Sequence, residues 1–207
     1  MRVLVLAPHT DDGEFGCGGT IAKLISQGHE VHYLAFSAAE KSVAPHLPRD
    51  ILRTEVIQAT QVLGIKPEHL HVLGFEVREF PAHRQEILEH LIKLQTDLKP
   101  EIVFLPSRDD THQDHQTVSA EGFRAFKRTT MLGYELPWNN LSFTTSAFVV
   151  LRDEHVTRKV LALEQYKSQA NRSYATGEYV RNLANVRGTQ VGVKYAEAFE
   201  SIRWIML

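Results

Sequence analysis

The chain has one cysteine, Cys17, so no disulfide can close within it, and a reducing compartment suits its chemistry. No apolar run approaches the roughly 18 residues of a membrane span. The first apolar stretch, Val3–Leu6, is too short for a signal-peptide core and runs straight into a polar cluster, so a cytoplasmic location is expected. A basic surplus is also missing. The 23 Lys and Arg stand against 25 Asp and Glu, a net charge of −2, which argues against a dedicated nucleic-acid binder. An anionic small substrate is not excluded by that balance, since a few local arginines would serve. No linker, repeat or low-complexity segment interrupts the 207 residues, and residues 1–207 are expected to form a single domain with a full hydrophobic core.

What the chain does have is strand–helix alternation. Val3–Ala7 reads as a buried strand, Gly16–Gln27 as a helix stopped by Gly28, and Val31–Phe36 as a second strand. Asp50 is placed to cap a helix running to Leu63, with Gly64 as its stop. Leu70–Leu73 reads as a short strand, about His83–Leu98 as a helix with Ile87, Leu88, Leu91, Ile92 and Leu94 inward, and Ile102–Leu105 as a strand. A further helix is expected from Asp114 to Phe126. Beyond it, Met131–Glu135 and Ser146–Leu151 read as strands, Val156–Tyr166 and Glu178–Asn185 as helices, and Ala198–Met206 as a last strand. This alternation predicts an α/β fold, a mostly parallel sheet with helices on both faces. In such sheets ligands bind beyond the carboxyl ends of the strands.

Two of those ends carry clusters that burial does not explain. Val3–Ala7 runs into His9, Asp11 and Asp12, and Ile102–Leu105 into Asp109, Asp110, His112, Asp114 and His115. Imidazole and carboxylate together suit zinc or a similar first-row ion, and a catalytic zinc uses three protein ligands and keeps one position open. His9 and Asp12 are close enough in sequence to share an ion, and His112 and His115 fall on one face of a helix start. Only some of these groups can be ligands, leaving the rest to orient ligands or move protons. Asp109 and Asp110 read as solvated loop carboxylates before they read as ligands. The histidines outside these clusters (His29, His32, His46, His69, His71, His83, His90 and His155) read as surface or satisfied core residues. Gly16-Cys17-Gly18-Gly19 lacks the ending of a phosphate loop and reads as a close-packed helix start, with Cys17 as a small packed residue.

These residues resemble the PIG-L/LmbE-like family of zinc-dependent N-deacetylases. Its first motif, Ala-His-Pro-Asp-Asp-Glu followed by Phe-Gly-x-Gly-Gly-Thr, stands here as Pro8-His9-Thr10-Asp11-Asp12-Gly13-Glu14-Phe15-Gly16-Cys17-Gly18-Gly19-Thr20. Its His-Pro-Asp-His motif stands as His112-Gln113-Asp114-His115. Arg53 with Glu55, and Tyr195-Ala196-Glu197-Ala198-Phe199, are similar to two further family segments. Thr10 replaces the usual proline and Gly13 an acidic residue. The resemblance implies a Rossmann-like fold with His9, Asp12 and His115 as ligands of Zn2+ or another divalent first-row ion. It implies Asp11 as general base, His112 with Asp114 as its supporting pair, and a small-molecule or glycoconjugate amino sugar carrying an N-acetyl group as substrate.

That assignment fits amide hydrolysis. Asp11, kept off the metal, takes the water's proton, while His112, charged through contact with Asp114, steadies the oxyanion. Arg53 is a candidate substrate contact. Trp138 reads as a packing residue, with stacking on a sugar face as the alternative, and Tyr195 and Glu197 read as structural. Two rivals stand beside the deacetylase: another metal hydrolase, an amidase or a phosphoesterase, whose two metals would be bridged by Asp109 or Asp110, and a non-catalytic metal- or sugar-binding module. Oligomeric state is left open, a homo-oligomer included.

Overall fold

The structure, a computed structural model, describes residues 1–206. Seven strands, β1 (Arg2–His9), β2 (Glu30–Ser37), β3 (Leu70–Val72), β4 (Ile102–Pro106), β5 (Thr130–Tyr134), β6 (Ala147–Leu151) and β7 (Tyr195–Arg203), form one sheet in the order β3-β2-β1-β4-β5-β7-β6. The first five run parallel, and β7 lies antiparallel to both β5 and β6. Six helices accompany them: α1 (Asp12–Ser26), α2 (Ile51–Leu63), α3 (Arg84–Leu98), α4 (Gln113–Ala125), α5 (Asp153–Leu163) and α6 (Gly177–Thr189). The α/β, Rossmann-like expectation therefore holds. No helix among the described residues is long and apolar enough to cross a membrane.

The strand period of two decides which helices cover which face. Val3, Val5 and Ala7 of β1 point into a core shared with Ile21 of α1, Val56 of α2, Val156 of α5 and Val180 of α6. Leu4 and Leu6 point the other way, into a core with Ile87 and Leu91 of α3 and Val118 of α4. Burying both faces explains why β1 and β4 read as continuous apolar runs rather than alternating ones.

Strand order reverses at β1, whose neighbours are β2 on one side and β4 on the other. The connections after β1 and β4 thus diverge to opposite faces and leave a crevice between their carboxyl ends. Both His/Asp clusters open onto it.

Helix α1 starts at Asp12, four residues before the expected Gly16. Asp12 suits a first helical turn, where the exposed N–H groups favour negative charge. The helix kinks at Cys17 (φ −145°, ψ 23°). Gly19 N–H and Thr20 N–H donate instead to Glu197 of β7, at 3.0 and 2.6 Å. Lys159 of α5 donates to the same carboxylate at 2.7 Å and to the Phe15 carbonyl at 2.6 Å. Losing one partner of such a buried pair costs about 3–5 kcal/mol, so residues far along the chain fix the helix that carries the first cluster. A Cβ at Gly16 would overlap the Tyr134 ring, which explains that glycine by close approach. Cys17 is buried, its thiol donating to the Gly13 carbonyl at 3.3 Å.

Candidate metal and acid–base site

The loop leaving β1 is held from beneath. Tyr33 and Tyr166 both direct their hydroxyls at the Thr10 carbonyl, at 2.9 and 2.7 Å, and both also meet the carboxyl of Glu14. Gly13 N–H donates to Tyr33 Oη at 3.0 Å, and a Cβ at Gly13 would overlap that ring. A loop that lacks the family's proline is thus fixed by two phenols. Glu14 is fully buried, and burial pushes its carboxyl up to about 8. Two phenolic protons cannot serve four contacts, and a protonated Glu14 supplies a third.

Above that support three donor atoms converge. His9 Nδ1 lies 3.1 Å from Asp12 Oδ2, His115 Nε2 lies 3.2 Å from the same oxygen, and the two nitrogens are 3.2 Å apart. The two loops, about 100 residues apart in sequence, therefore meet. Each imidazole is oriented from behind by a carboxylate: Asp114 Oδ2 is 3.0 Å from His9 Nε2, and Asp110 Oδ2 is 2.8 Å from His115 Nδ1. This assigns the protons to the rear nitrogens and aims both front lone pairs into the triangle.

The donor set fits a first-row divalent ion. Zinc–nitrogen bonds of about 2.0–2.1 Å in a tetrahedron give donor separations of about 3.3–3.4 Å, close to those observed. His9, Asp12 and His115 all line the same cleft, so a fourth position would open toward a ligand. Charge supports the fit. Burial opposes a charged His9 and a charged His115, yet the surrounding carboxylates outweigh it. Bonds to Asp114 and Asp12 hold His9 at about 9, and Asp12 and Asp110 hold His115 at about 10. Burial would raise Asp12, but His115 and His9 hold it far below the carboxylate range. The pocket gathers protons where a cation would replace them.

Several expectations change. Asp110 is not a solvated loop carboxylate: it is 2% exposed, accepts from His112 N–H at 2.8 Å through Oδ1, and holds His115 through Oδ2. Asp109 is exposed and accepts from Ser142. Asp114 does not pair with His112 through its carboxylate. It reaches across to His9, while its backbone N–H donates to His112 Nδ1 at 3.1 Å in an N-cap contact. Asp114 also accepts from Arg78 N–H at 2.6 Å, and Arg78 has φ 73°. A left-handed backbone at a non-glycine residue costs about 1–3 kcal/mol and here points an N–H at the site. His112 is not charged by this arrangement. Burial and the neighbouring His115 and His9 push it down, and with Nδ1 accepting, Nε2 carries the proton.

Asp11 lines the cleft and stays out of the triangle. Burial and the adjacent Asp12 push it up to about 6, against the pull of Arg172. Arg53 is not brought into this cleft. Its guanidinium turns to Glu40 at 3.0 Å and to the carbonyls of Val72 and Leu73, in a neighbouring depression that shares Val77. The arginine at the mouth is Arg172, which donates to Tyr174 Oη at 2.5 Å. Trp138 stacks on Tyr174 at 3.8 Å between centroids, so that face is already covered. Arg172, Tyr174 and Gln169 sit in a segment with no motif to mark it, and only the fold brings it over the loops.

Residues 4–126 match the family model described as PIG-L, GlcNAc-PI de-N-acetylase. The chain is 30% identical over 174 residues to an uncharacterized deacetylase, YaiS, of Escherichia coli K12, covering 80% of this chain and 90% of that one. It is 26% identical over 230 residues to a diacetylchitobiose deacetylase of Thermococcus kodakarensis, covering 100% of this chain and 85% of that one. Among solved structures it resembles a conserved protein of Thermus thermophilus with a TM-score of 0.80 and 26% identity, across 99% of this chain and 96% of that one.

Proposed function

The chain belongs to the PIG-L family, and from that premise we propose that it is a metal-dependent hydrolase that removes the N-acetyl group from an amino sugar or amino-sugar conjugate and releases acetate. One observation carries the reading: His9, Asp12 and His115 present a three-donor triangle at 3.1–3.2 Å while Asp11 lines the same cleft outside it. A binding module would need the triangle alone.

In this reading His9 Nδ1, Asp12 Oδ2 and His115 Nε2 hold Zn2+ or a related divalent ion. Such an ion polarises an amide carbonyl and acidifies the attacking water. Asp11 accepts the proton of that water as the new C–O bond forms, and returns it to the nitrogen as the C–N bond breaks. His112 Nε2–H donates to the oxygen that gains charge, and it does so as a neutral imidazole, with no positive charge required. Asp110 and Asp114 hold the ligand imidazoles in the tautomers that leave the triangle free. Arg172 and Tyr174 at the mouth are the substrate contacts of this proposal, in place of Arg53. Residues 1–207 act as one deacetylase unit, since β7, outside the matched segment, supplies the Glu197 that holds α1.

The phosphoesterase alternative asks for bridging carboxylates. Asp110 spends both oxygens on His115 and His112, and Asp109 turns to Ser142, so neither faces a second ion beside the first. The test is incubation of zinc-loaded protein with N-acetylglucosamine, diacetylchitobiose and glucosaminyl conjugates, and with a phosphate monoester. Acetate and free amine in equal amounts support the proposal. Phosphate without acetate overturns it.

A further inference from the structure

At the opposite end of the sheet a second group of donors assembles from residues that appear unrelated in the sequence. β2 and β3 pair in parallel, with Tyr33 opposite Leu70 and Leu34 opposite His71. One step back along both chains, His32 and His69 are neighbours, and their rings stack at 4.1 Å with 27° between planes. Glu30 is two residues before His32 on the same strand, so the strand period puts both side chains on one face. Glu30 Oε1 lies 2.6 Å from His32 Nε2. One donor atom from each of Glu30, His32 and His69 falls within 4.8 Å of the other two.

We propose that Glu30, His32 and His69 form a second divalent-cation site, separate from the one at His9, that takes a borderline first-row ion such as Zn2+, Ni2+ or Cu2+. Two imidazoles and one carboxylate match the preferences of those ions and not those of Mg2+ or Ca2+, which take oxygen donors. His32 is the anchor: its side chain is 12% exposed and set in the sheet, whereas Glu30 is 46% exposed. Zinc-length bonds set donors roughly 3.4 Å apart, so Glu30, now at 2.6 Å from His32, has to draw back slightly, and His69, in a short 3₁₀ turn before β3, completes the triangle. Register separates the two sites. His32 pairs with Leu4, and His9 stands five residues further on, roughly 17 Å at about 3.3 Å per residue. They share no ligand, so an ion held by Glu30, His32 and His69 would not form a two-metal centre with one held at His9.

The test is equilibrium dialysis of the full chain against Zn2+ at tens of micromolar, with metal counted per chain and folding followed by thermal melting. Wild-type protein is expected to bind two ions. His69→Gln and Glu30→Gln, both at partly exposed positions, are expected to bind one, with the second affinity at least tenfold weaker and melting unchanged. NMR of the wild-type protein should show the second equivalent shifting the His32 and His69 ring signals. Saturation of wild-type protein at one ion, or an undiminished second ion in both variants, overturns the proposal.

Discussion

Asp110→Asn is the most informative single change at the proposed site. Asp110 accepts two hydrogen bonds, from His112 N–H and His115 Nδ1–H, each at 2.8 Å. Asparagine has nearly the same shape but only one acceptor oxygen. If that oxygen keeps the His112 amide, the amide nitrogen faces His115 Nδ1 and favours the tautomer protonated at Nε2, the atom in the donor triangle. If the oxygen instead keeps His115, the start of α4 loses its tie to the loop. In both cases the ligand is mis-set while the fold survives. Loss of such a supporting carboxylate costs about 10–100-fold in metal affinity, or about 1.4–2.8 kcal/mol at 1.4 kcal/mol per decade. Competition with a chromophoric chelator measures this directly. Asp109→Asn, at the exposed neighbour bonded to Ser142, is the control and should leave affinity unchanged. Equal zinc affinity in wild type and Asp110→Asn would refute the role given to Asp110.

Three further outcomes follow from the same geometry. His115→Ala should abolish zinc binding at the catalytic cleft, whereas His112→Ala should keep the metal and lower kcat about 10²–10³-fold, the loss expected for one oxyanion donor; metal content and initial rates separate them. Arg53→Ala should leave KM within about twofold and cost no more than about 1 kcal/mol in a denaturant melt, as for a partly exposed ion pair; a tenfold rise in KM would return Arg53 to the substrate. Glu14→Gln should alter pH dependence rather than fold. Glu14 is pushed up to about 8, so its contribution to stability is complete below its unfolded pKa and is lost as pH rises through about 8. Glutamine stays neutral, and the melting temperature of wild type minus that of Glu14→Gln should therefore fall between pH 5 and 9. A flat difference would mean that Glu14 is ionised throughout.

Much of this was legible in the chain because burial wrote it there. Strands β1 and β4 sit between two helical layers, and their runs of apolar residues announce that. Helix α3 shows its inward face at regular spacing, and the clusters at two strand ends mark the crevice. What was illegible depends on partners distant in sequence. Helix α1 begins at Asp12 because Glu14 finds Tyr33 and Tyr166, and because Glu197 receives the N–H groups released at the kink. Asp50 stands where a cap was expected, but its side chain makes no cap bond. The last strand runs Tyr195–Arg203, earlier than Ala198–Met206, because its length is set by the partners β5 and β6.

The site divides in the same way. Adjacent Asp109 and Asp110 look alike in sequence, and only the fold turns one to solvent and the other to His115. Sequence proximity suggested that Asp114 serves His112, but a helix start puts the backbone of residue 114 there and frees its carboxylate for His9. Neither Arg172 at the cleft nor His69 beside His32 carries a local signal, since strand pairing and a distant loop place them.

The most direct test of the division of labour in the first loop is Asp11→Asn, with zinc content and acetate release measured on one preparation. Zinc equal to that of wild type, with turnover reduced about 10²–10⁴-fold, is the predicted result for a positioned base that is not a ligand. Near-full acetate release at full zinc occupancy would contradict the base role, and loss of zinc would put Asp11 among the ligands.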